Sequence, residues 1–425
     1  MNRASLFTYD GLTFDGTSLV GRYSLDGVSF CERVDVDGAD FAQPAQAALG
    51  QLWYLIAGLS YYKAGAAQQI DLGDTPVGPH GRALFEAALH DGLGEYAFRN
   101  QIILDDVTIA GGGPFSPSPY DAPSTRVLIP FGGGIDSCVS VRALSHLERT
   151  LFVMSPASGR FAPLEATAAV SGLPIARTTR TLDLDALKSS PDFFNGHVPV
   201  TTMVTILACL SAVAHGLGGV VMSNEHSSSA PNLVWRGRDV NHQWSKSAVA
   251  EVLIANAVAE RIGDDFTVAS FLRDRSELWV AQQFAADTAV HHVFRSCNRA
   301  FAQRTQDRAS AWCGECDKCL FINLILAPFL SRATLADIFG SEPLANPALT
   351  DQLATLVGLG LDHKPFECVG DPDESAVALV EIAQRSEWAD VPHLRVLSQR
   401  VSPDRSFAEL LVPLGGSRVP AHWLQ

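Results

Sequence analysis

The run Val127-Leu128-Ile129-Pro130-Phe131-Gly132-Gly133-Gly134-Ile135-Asp136-Ser137 could do chemistry by its spacing alone: an apolar strand, three glycines, then an acid and a hydroxyl opening a helix. Glycine lets the main chain approach anionic oxygens. The first N–H groups of a helix have no internal partner, and the helix dipole favours negative charge there. Gly132, Gly133, Gly134 and Ser137 are therefore candidates to cradle a pyrophosphate, and Asp136 to hold Mg2+ or orient the turn. Plain tight connections use the same glycines, but the strand–loop–helix context favours nucleotide binding, and the Gly-Lys-Ser/Thr ending of a Walker A loop is missing.

Four of the eight cysteines are concentrated: Cys297, then Cys313, Cys316 and Cys319 in Trp312-Cys313-Gly314-Glu315-Cys316-Asp317-Lys318-Cys319. Two overlapping C-x-x-C steps and one distant thiol suit a tetrahedral, structural zinc site. The same spacing suits an iron–sulfur cluster, and the bland alternative is a set of small buried thiols in a reduced loop. No secretory signal is visible at the start of the chain, so a reducing, cytoplasmic setting is expected.

Polar residues are densest at 223–247, where Asn224, Glu225, His226, Arg236, Arg238, His242 and Lys246 lie among serines and two tryptophans. A loop this long with few aliphatic residues is functional or disordered, and its tryptophans favour function. Ser245 or Ser247 is suited to cap the helix that follows. Lys246 would then stand at a helix start, where a cation is unfavourable without an anion nearby.

The elements that must position these groups fall into three regions: an α+β region at 1–115, a catalytic region at 124–332 and a helical one at 333–425. Short strands and Asp-Gly turns at Asp10-Gly11, Asp15-Gly16 and Asp26-Gly27 predict hairpins, and a helix is expected over 45–62. Gly, Pro and Ser at 111–119 mark the first boundary. Strands at 127–131, 150–154, 175–179, 219–223 and 266–271 alternate with helices, which predicts an α/β fold with a doubly wound parallel sheet. Ligands of such sheets sit at the carboxyl ends of the strands, so the glycine loop and the run Ser223-Asn224-Glu225-His226 should face one crevice.

Composition sets outer limits. At 425 residues, two or three domains are the default. With 31 basic and 46 acidic side chains the net charge is −15, which argues against a broad nucleic-acid surface. The apolar stretch 198–222 is interrupted by polar residues and glycines, so a buried helix and strand explain it better than a membrane span.

The glycine run resembles the S-G-G-x-D-S loop of the ATP pyrophosphatase (PP-loop) superfamily, with Gly132 where those proteins have serine. More of the chain resembles the UDP-N-acetylmuramoyl-L-alanyl-L-glutamate epimerase (MurL) family. The likeness rests on Ser60-Tyr61-Tyr62-Lys63, the glycine loop, Ser223-Asn224-Glu225-His226, Val240-Asn241-His242-Gln243-Trp244-Ser245-Lys246-Ser247, Ser296-Cys297-Asn298, the cysteine run and Lys364-Pro365-Phe366-Glu367-Cys368-Val369-Gly370. It implies an adenine nucleotide alpha hydrolase-like core. It also implies ATP with Mg2+ as cofactors, a UDP-linked muramoyl dipeptide as substrate, inversion of its terminal glutamate, and release of AMP and pyrophosphate in peptidoglycan synthesis.

Inversion needs proton-transfer groups, and Glu225, His226, His242 and Lys246 are the candidates, with Cys297 a weaker one. Each has a plainer role: Lys246 on phosphate, Glu225 on Mg2+, either histidine in the loop's own hydrogen bonds. Lys63, Arg236 and Arg238 are candidates for the substrate's anionic groups, or ordinary surface cations. The segment 364–370 is expected to be a loop closing over the site. The rival readings are another PP-loop adenylating enzyme, 7-cyano-7-deazaguanine synthase-like or tRNA-modifying, and a non-catalytic nucleotide-binding module.

Overall fold

The computed structural model describes residues 3–121, 123, 125–302, 305–360 and 363–424; Met1, Ser124 and Gln425, three of the expected region limits, lie outside the described residues. The strands are β1 (Leu6–Asp15), β2 (Ser18–Leu25), β3 (Val28–Val36), β4 (Gln69–Asp71), β5 (Thr108–Ala110), β6 (Arg126–Pro130), β7 (Glu148–Pro156), β8 (Ile175–Thr181), β9 (Gly219–Met222), β10 (Leu233–Trp235), β11 (Arg238–Val240) and β12 (Thr267–Ser270). Ten form one sheet in the order β12-β9-β6-β7-β8-β3-β2-β1-β4-β5, and β10 and β11 make a separate hairpin.

The five strands expected between residues 127 and 271 are β12, β9, β6, β7 and β8, all paired in parallel. Next to them β8 meets β3 antiparallel, β3, β2 and β1 continue antiparallel, and β4 and β5 return to parallel pairing. The sheet is therefore large, mixed and mostly parallel, an α/β architecture, and it runs unbroken across the 111–119 connection. That connection is itself pinned, since Ser118 N–H donates to the Arg261 carbonyl at 2.6 Å and Tyr120 N–H to that of Ile262 at 2.8 Å.

Strand alternation sorts the apolar side chains into two cores. Leu128, Phe152, Ala176, Val220 and Val268 face the core shared with helices Pro44–Ala57, Val200–Ala214 and Ala248–Ile262. Val127, Ile129, Leu151, Val153, Val221 and Ala269 face the other, shared with helices Ile135–Ala143, Glu277–Ala285 and Asp317–Leu326. Both faces are covered, as parallel strands require. The apolar stretch 198–222 becomes the buried helix Val200–Ala214 and then β9; among the described residues no helix is long and apolar enough to cross a membrane.

Two local expectations differ from the structure. Asp10-Gly11 is no turn: β1 continues through it with a bulge between Tyr9 and Gly11, where Gly11 N–H donates to Tyr54 Oη at 2.9 Å. The helix expected over 45–62 is interrupted at Gly58, giving Pro44–Ala57 and Leu59–Tyr62. Tyr9 and Tyr23 hydroxyls donate to the Leu55 and Tyr54 carbonyls at 2.6 and 3.0 Å, and the Tyr54 carbonyl also accepts from Gly58 N–H at 3.3 Å.

In the parallel part, chain order runs outward from β6 in both directions, through β7 and β8 on one side and β9 and β12 on the other. The reversal between β6 and β9 opens a crevice at their carboxyl ends, the place where such sheets take ligands. After residue 331 short helices, Arg332–Phe339, Thr350–Leu356, Pro372–Ala383 and Pro392–Ser398, complete the second core.

Candidate active site

The crevice is a cavity of about 450 Å3. Its walls include Gly132, Gly134, Asp136 and Ser137 after β6, Ser223 and Asn224 after β9, and Lys246, Arg295, Ser296, Asn298, Lys318 and Cys368 from farther along the chain. The glycine loop and the start of the polar loop thus do face one space.

Backbone geometry explains the glycines. Gly133 has φ +73°, and a Cβ there would stand 3.2 Å from the Leu164 main chain. Gly134 is the N-cap of helix Ile135–Ala143, which no side chain caps, so its first N–H groups remain available to an anion. Ser137 donates its hydroxyl to the Gly134 carbonyl at 3.2 Å. At Gly132 a Cβ would meet nothing within 4 Å, so sterics do not forbid serine there.

Behind the loop lies a group of buried carboxylates. Asp136 is pushed up to about 7, first by burial and then by the Glu225 charge, with Lys318 and Lys246 opposing. Its Oδ1 is buried with no hydrogen-bond partner. Glu277 is raised well above the usual range, by burial and then by Glu225 and Asp136. An unpartnered carboxylate oxygen among further carboxylates is a donor set that fits a hard cation such as Mg2+.

The polar loop is ordered by its own amides and hydroxyls. Ser247 caps helix Ala248–Ile262 by accepting from Ala250 N–H at 3.2 Å. Lys246, just before it, has its Nζ 3.7 Å from Cys368 Sγ. Its ammonium is stabilised first by the Cys368 charge, against burial, and further by Glu225 and Asp136. The anion that a cation needs at this helix start is thus built into the protein.

Cys368 itself is raised by burial, but the Lys246 charge, a hydrogen bond with His242 and the Lys318 charge bring it down to about 6. Burial lowers His242, and hydrogen bonds with Cys368 and Glu95 more than compensate, raising it to about 9. His242 Nδ1 lies 2.5 Å from Glu95 Oε2, and the His197 ring rests against it at 4.4 Å between centroids. Glu95, His197 and His242 offer ligand atoms within 4.8 Å of one another, but the direct contact between His242 and Glu95 makes this a hydrogen-bonded group.

Other expected residues lie elsewhere. His226 packs toward Arg405 and Asp371, lowered by burial, with its Nδ1 unpartnered. Lys63 donates to Asn195 Oδ1 at 3.0 Å and the Gly196 carbonyl at 3.1 Å, beside a second cavity of about 500 Å3 that also holds Arg180, Lys188 and Phe193. Arg236 and Arg238 are not brought to the crevice. Arg236 lies over the Trp235 ring in the β10–β11 turn, and Arg238 pairs with Asp105 at 2.9 Å and Asp91 at 3.6 Å.

The four cysteines do converge: the sulfurs of Cys297, Cys313, Cys316 and Cys319 lie within 4.8 Å of one another. Cys319 is 3.5 Å from Cys313 and 3.4 Å from Cys316. Hydrogen bonds from Cys316 and Cys319 hold the Cys297 thiol far below its usual range. Four thiols in one closed knot are the donor set of a structural zinc site. Neighbours in sequence, Arg295, Ser296, Asn298 and Lys318, line the crevice.

Residue-level reasoning on the sequence missed Cys368, Lys318, Glu95 and Glu277. Two had a signal: Lys318 sits inside the cysteine run, and Cys368 inside the 364–370 motif, which carries part of the family likeness and is expected to close over the site. Glu95, 5% exposed in helix Gly94–Asn100, and Glu277 had none.

Residues 1–271 match the MurL N-terminal domain model and residues 293–410 the MurL C-terminal domain model. Three curated proteins, each named UDP-N-acetyl-alpha-D-muramoyl-L-alanyl-L-glutamate epimerase, are similar to this chain. That of Salinispora tropica is 40% identical over 83% of this chain and 76% of its own length. For Micromonospora sp. the figures are 39%, 87% and 83%, and for Xanthomonas oryzae pv. oryzae 34%, 90% and 86%. No solved structure gives a significant match. With both family models matched in order around a shared crevice, the chain belongs to the MurL family.

Proposed function

We propose that this protein is an ATP-dependent epimerase acting in the cytoplasm. It converts UDP-N-acetylmuramoyl-L-alanyl-L-glutamate to the D-glutamyl epimer through an acyl-adenylate, releasing AMP and pyrophosphate for peptidoglycan precursor synthesis. The observation that carries this is one cavity lined both by an uncapped glycine-loop helix start and by a cluster of cations and a thiol. The first half suits pyrophosphate and the second suits proton chemistry on a carbon acid. The relatives' names point to the substrate.

The α-proton beside a free carboxylate is very weakly acidic, because its loss would add a second negative charge to the same group. Joining the carboxylate to AMP removes that charge and leaves a carbonyl that accepts the electron pair of the broken C–H bond. In this reading Gly133, Gly134 and the N–H groups after them hold the pyrophosphate, and Lys246 and Lys318 offset charge across the crevice. Mg2+, when bound to Asp136 with Glu225, would neutralise phosphate charge. Zinc in the four-cysteine knot would fix Lys318 in place and take no part in the reaction.

Purified protein is expected to incorporate deuterium from deuterated water at the glutamyl α-carbon, in a reaction dependent on ATP and Mg2+. Absence of that label sinks the epimerase reading. Asp136→Ala should abolish pyrophosphate release, and an unchanged rate would remove Asp136 from the nucleotide site.

A further inference from the structure

Cys368 has no part in the pyrophosphate cradle or the four-cysteine knot, yet it lines the crevice into which the cradle opens. Its segment is held from three elements. Lys318 donates to the Cys368 carbonyl, Gln243 Nε2 to the Val369 carbonyl at 3.0 Å, and Asn232 Nδ2 to the Pro365 carbonyl at 2.6 Å. The sulfur has the Lys246 ammonium 3.7 Å away, and its charge also favours the protonated His242 ring, whose Nδ1 is engaged by buried Glu95. A thiol between a cation and an imidazole–carboxylate pair is in the surroundings that favour its thiolate.

Resting on the epimerase reading, the geometry points to Cys368 as the base that removes the α-proton of the activated glutamyl residue, with His242 and Glu95 as positioning residues behind it. In that step the Cα–H bond breaks, its electron pair moves into the acyl carbonyl as an enolate, and an S–H bond forms. A solvent-derived proton added at the opposite face completes the inversion. The thiol then returns the substrate's proton to solvent.

The neighbours support a base over a nucleophile. Lys246 and His242 are both raised by the sulfur's charge and keep their protons, so the sulfur is the member of the group ready to accept one. The acyl-adenylate is already activated, so a thioester at Cys368 would consume the base for little further activation.

The test compares wild type with Cys368→Ser, given ATP, Mg2+ and UDP-N-acetylmuramoyl-L-alanyl-L-glutamate in deuterated water, reading pyrophosphate release and α-carbon deuterium from the same samples. The variant is expected to go on releasing pyrophosphate, which also reports that it folds, while deuterium incorporation falls about 10²- to 10⁴-fold. If the variant does not fold, alkylation of Cys368 in the folded wild-type enzyme must produce the same split. Undiminished label in Cys368→Ser overturns the proposal, and so does a substrate-mass adduct on Cys368 in quenched wild-type enzyme, which marks a nucleophile. In His242→Gln the acid limb of the exchange rate should move to higher pH; an unmoved limb removes His242 from the assembly. A wild-type enzyme that releases pyrophosphate without any exchange sinks the epimerase reading, and this proposal with it.

Discussion

Lys246 stands at the entry of helix Ala248–Ile262, where the exposed helix dipole disfavours a cation, and it is held there by anions from other parts of the chain. The pairing works in both directions, because the Lys246 charge is the strongest of the influences that lower Cys368. With the thiol at about 6, it is ionised at neutral pH and protonated below. Replacing Lys246 with Met should therefore move the midpoint of Cys368 alkylation upward, toward the ordinary cysteine value of about 8.5. Iodoacetamide labelling of Cys368 followed by mass spectrometry across pH 5 to 9 (a range of roughly two units either side of neutral) reads it, and a midpoint that stays put refutes the pairing. Asp136 and Lys246 were legible in the sequence, because a glycine turn and a helix start are local signals. The Cys368 assembly was not, since residues 95, 242, 246, 318 and 368 are joined by no spacing rule.

At the scale of elements, the cysteine knot ties the chain around residue 297 to helix Asp317–Leu326, and from it Lys318, Arg295, Ser296 and Asn298 reach the crevice. Clustered thiolates repel unless protonated or bound to a cation, so zinc would relieve the knot and lock both segments. Protein purified without added metal is expected to carry about one zinc per chain. Cys316→Ser should lose it, melt at a lower temperature and release pyrophosphate more slowly as Lys318 loses its support. Equal metal content in the two proteins would end the zinc reading. The two C-x-x-C steps made the knot readable in advance, as the alternation of short apolar runs with helix-like segments did the strands of the parallel sheet. Asp10-Gly11 was misread for a physical reason: the same dipeptide suits a turn or a bulge, and the hydroxyl of Tyr54, from another element, decides between them.

For the whole molecule, the junction of the two halves of the sheet is held by a buried ion pair. Where β3 meets β8, Glu32 Oε1 is 2.5 Å from Arg180 Nε, with side chains 0% and 7% exposed, and Arg180 also donates to Ser60 Oγ at 2.9 Å. Removing one partner of a buried pair strands the other charge, at a cost of about 3–5 kcal/mol. Glu32→Ala should lower the unfolding free energy read from denaturant titration by that amount if the halves unfold together. A shift within about 0.5 kcal/mol, the scale of a surface change, would show the junction to be energetically idle.

The sequence by itself determined what is local: the pyrophosphate-type loop, the four-thiol set, the α/β alternation and the family likeness. Each depends on neighbours along the chain or on a short repeat. Tertiary structure decided that one sheet runs through both of the first two regions, because β3 and β8 find each other by edge pairing, which leaves no mark in either strand's own pattern. It also decided which polar residues work together. Arg236 and Arg238, close in sequence to Lys246, turn outward on a hairpin, while Cys368, more than a hundred residues away, comes to lie beside it. Charge at short range in a buried site is set by distance in space, and only the packed fold supplies that distance.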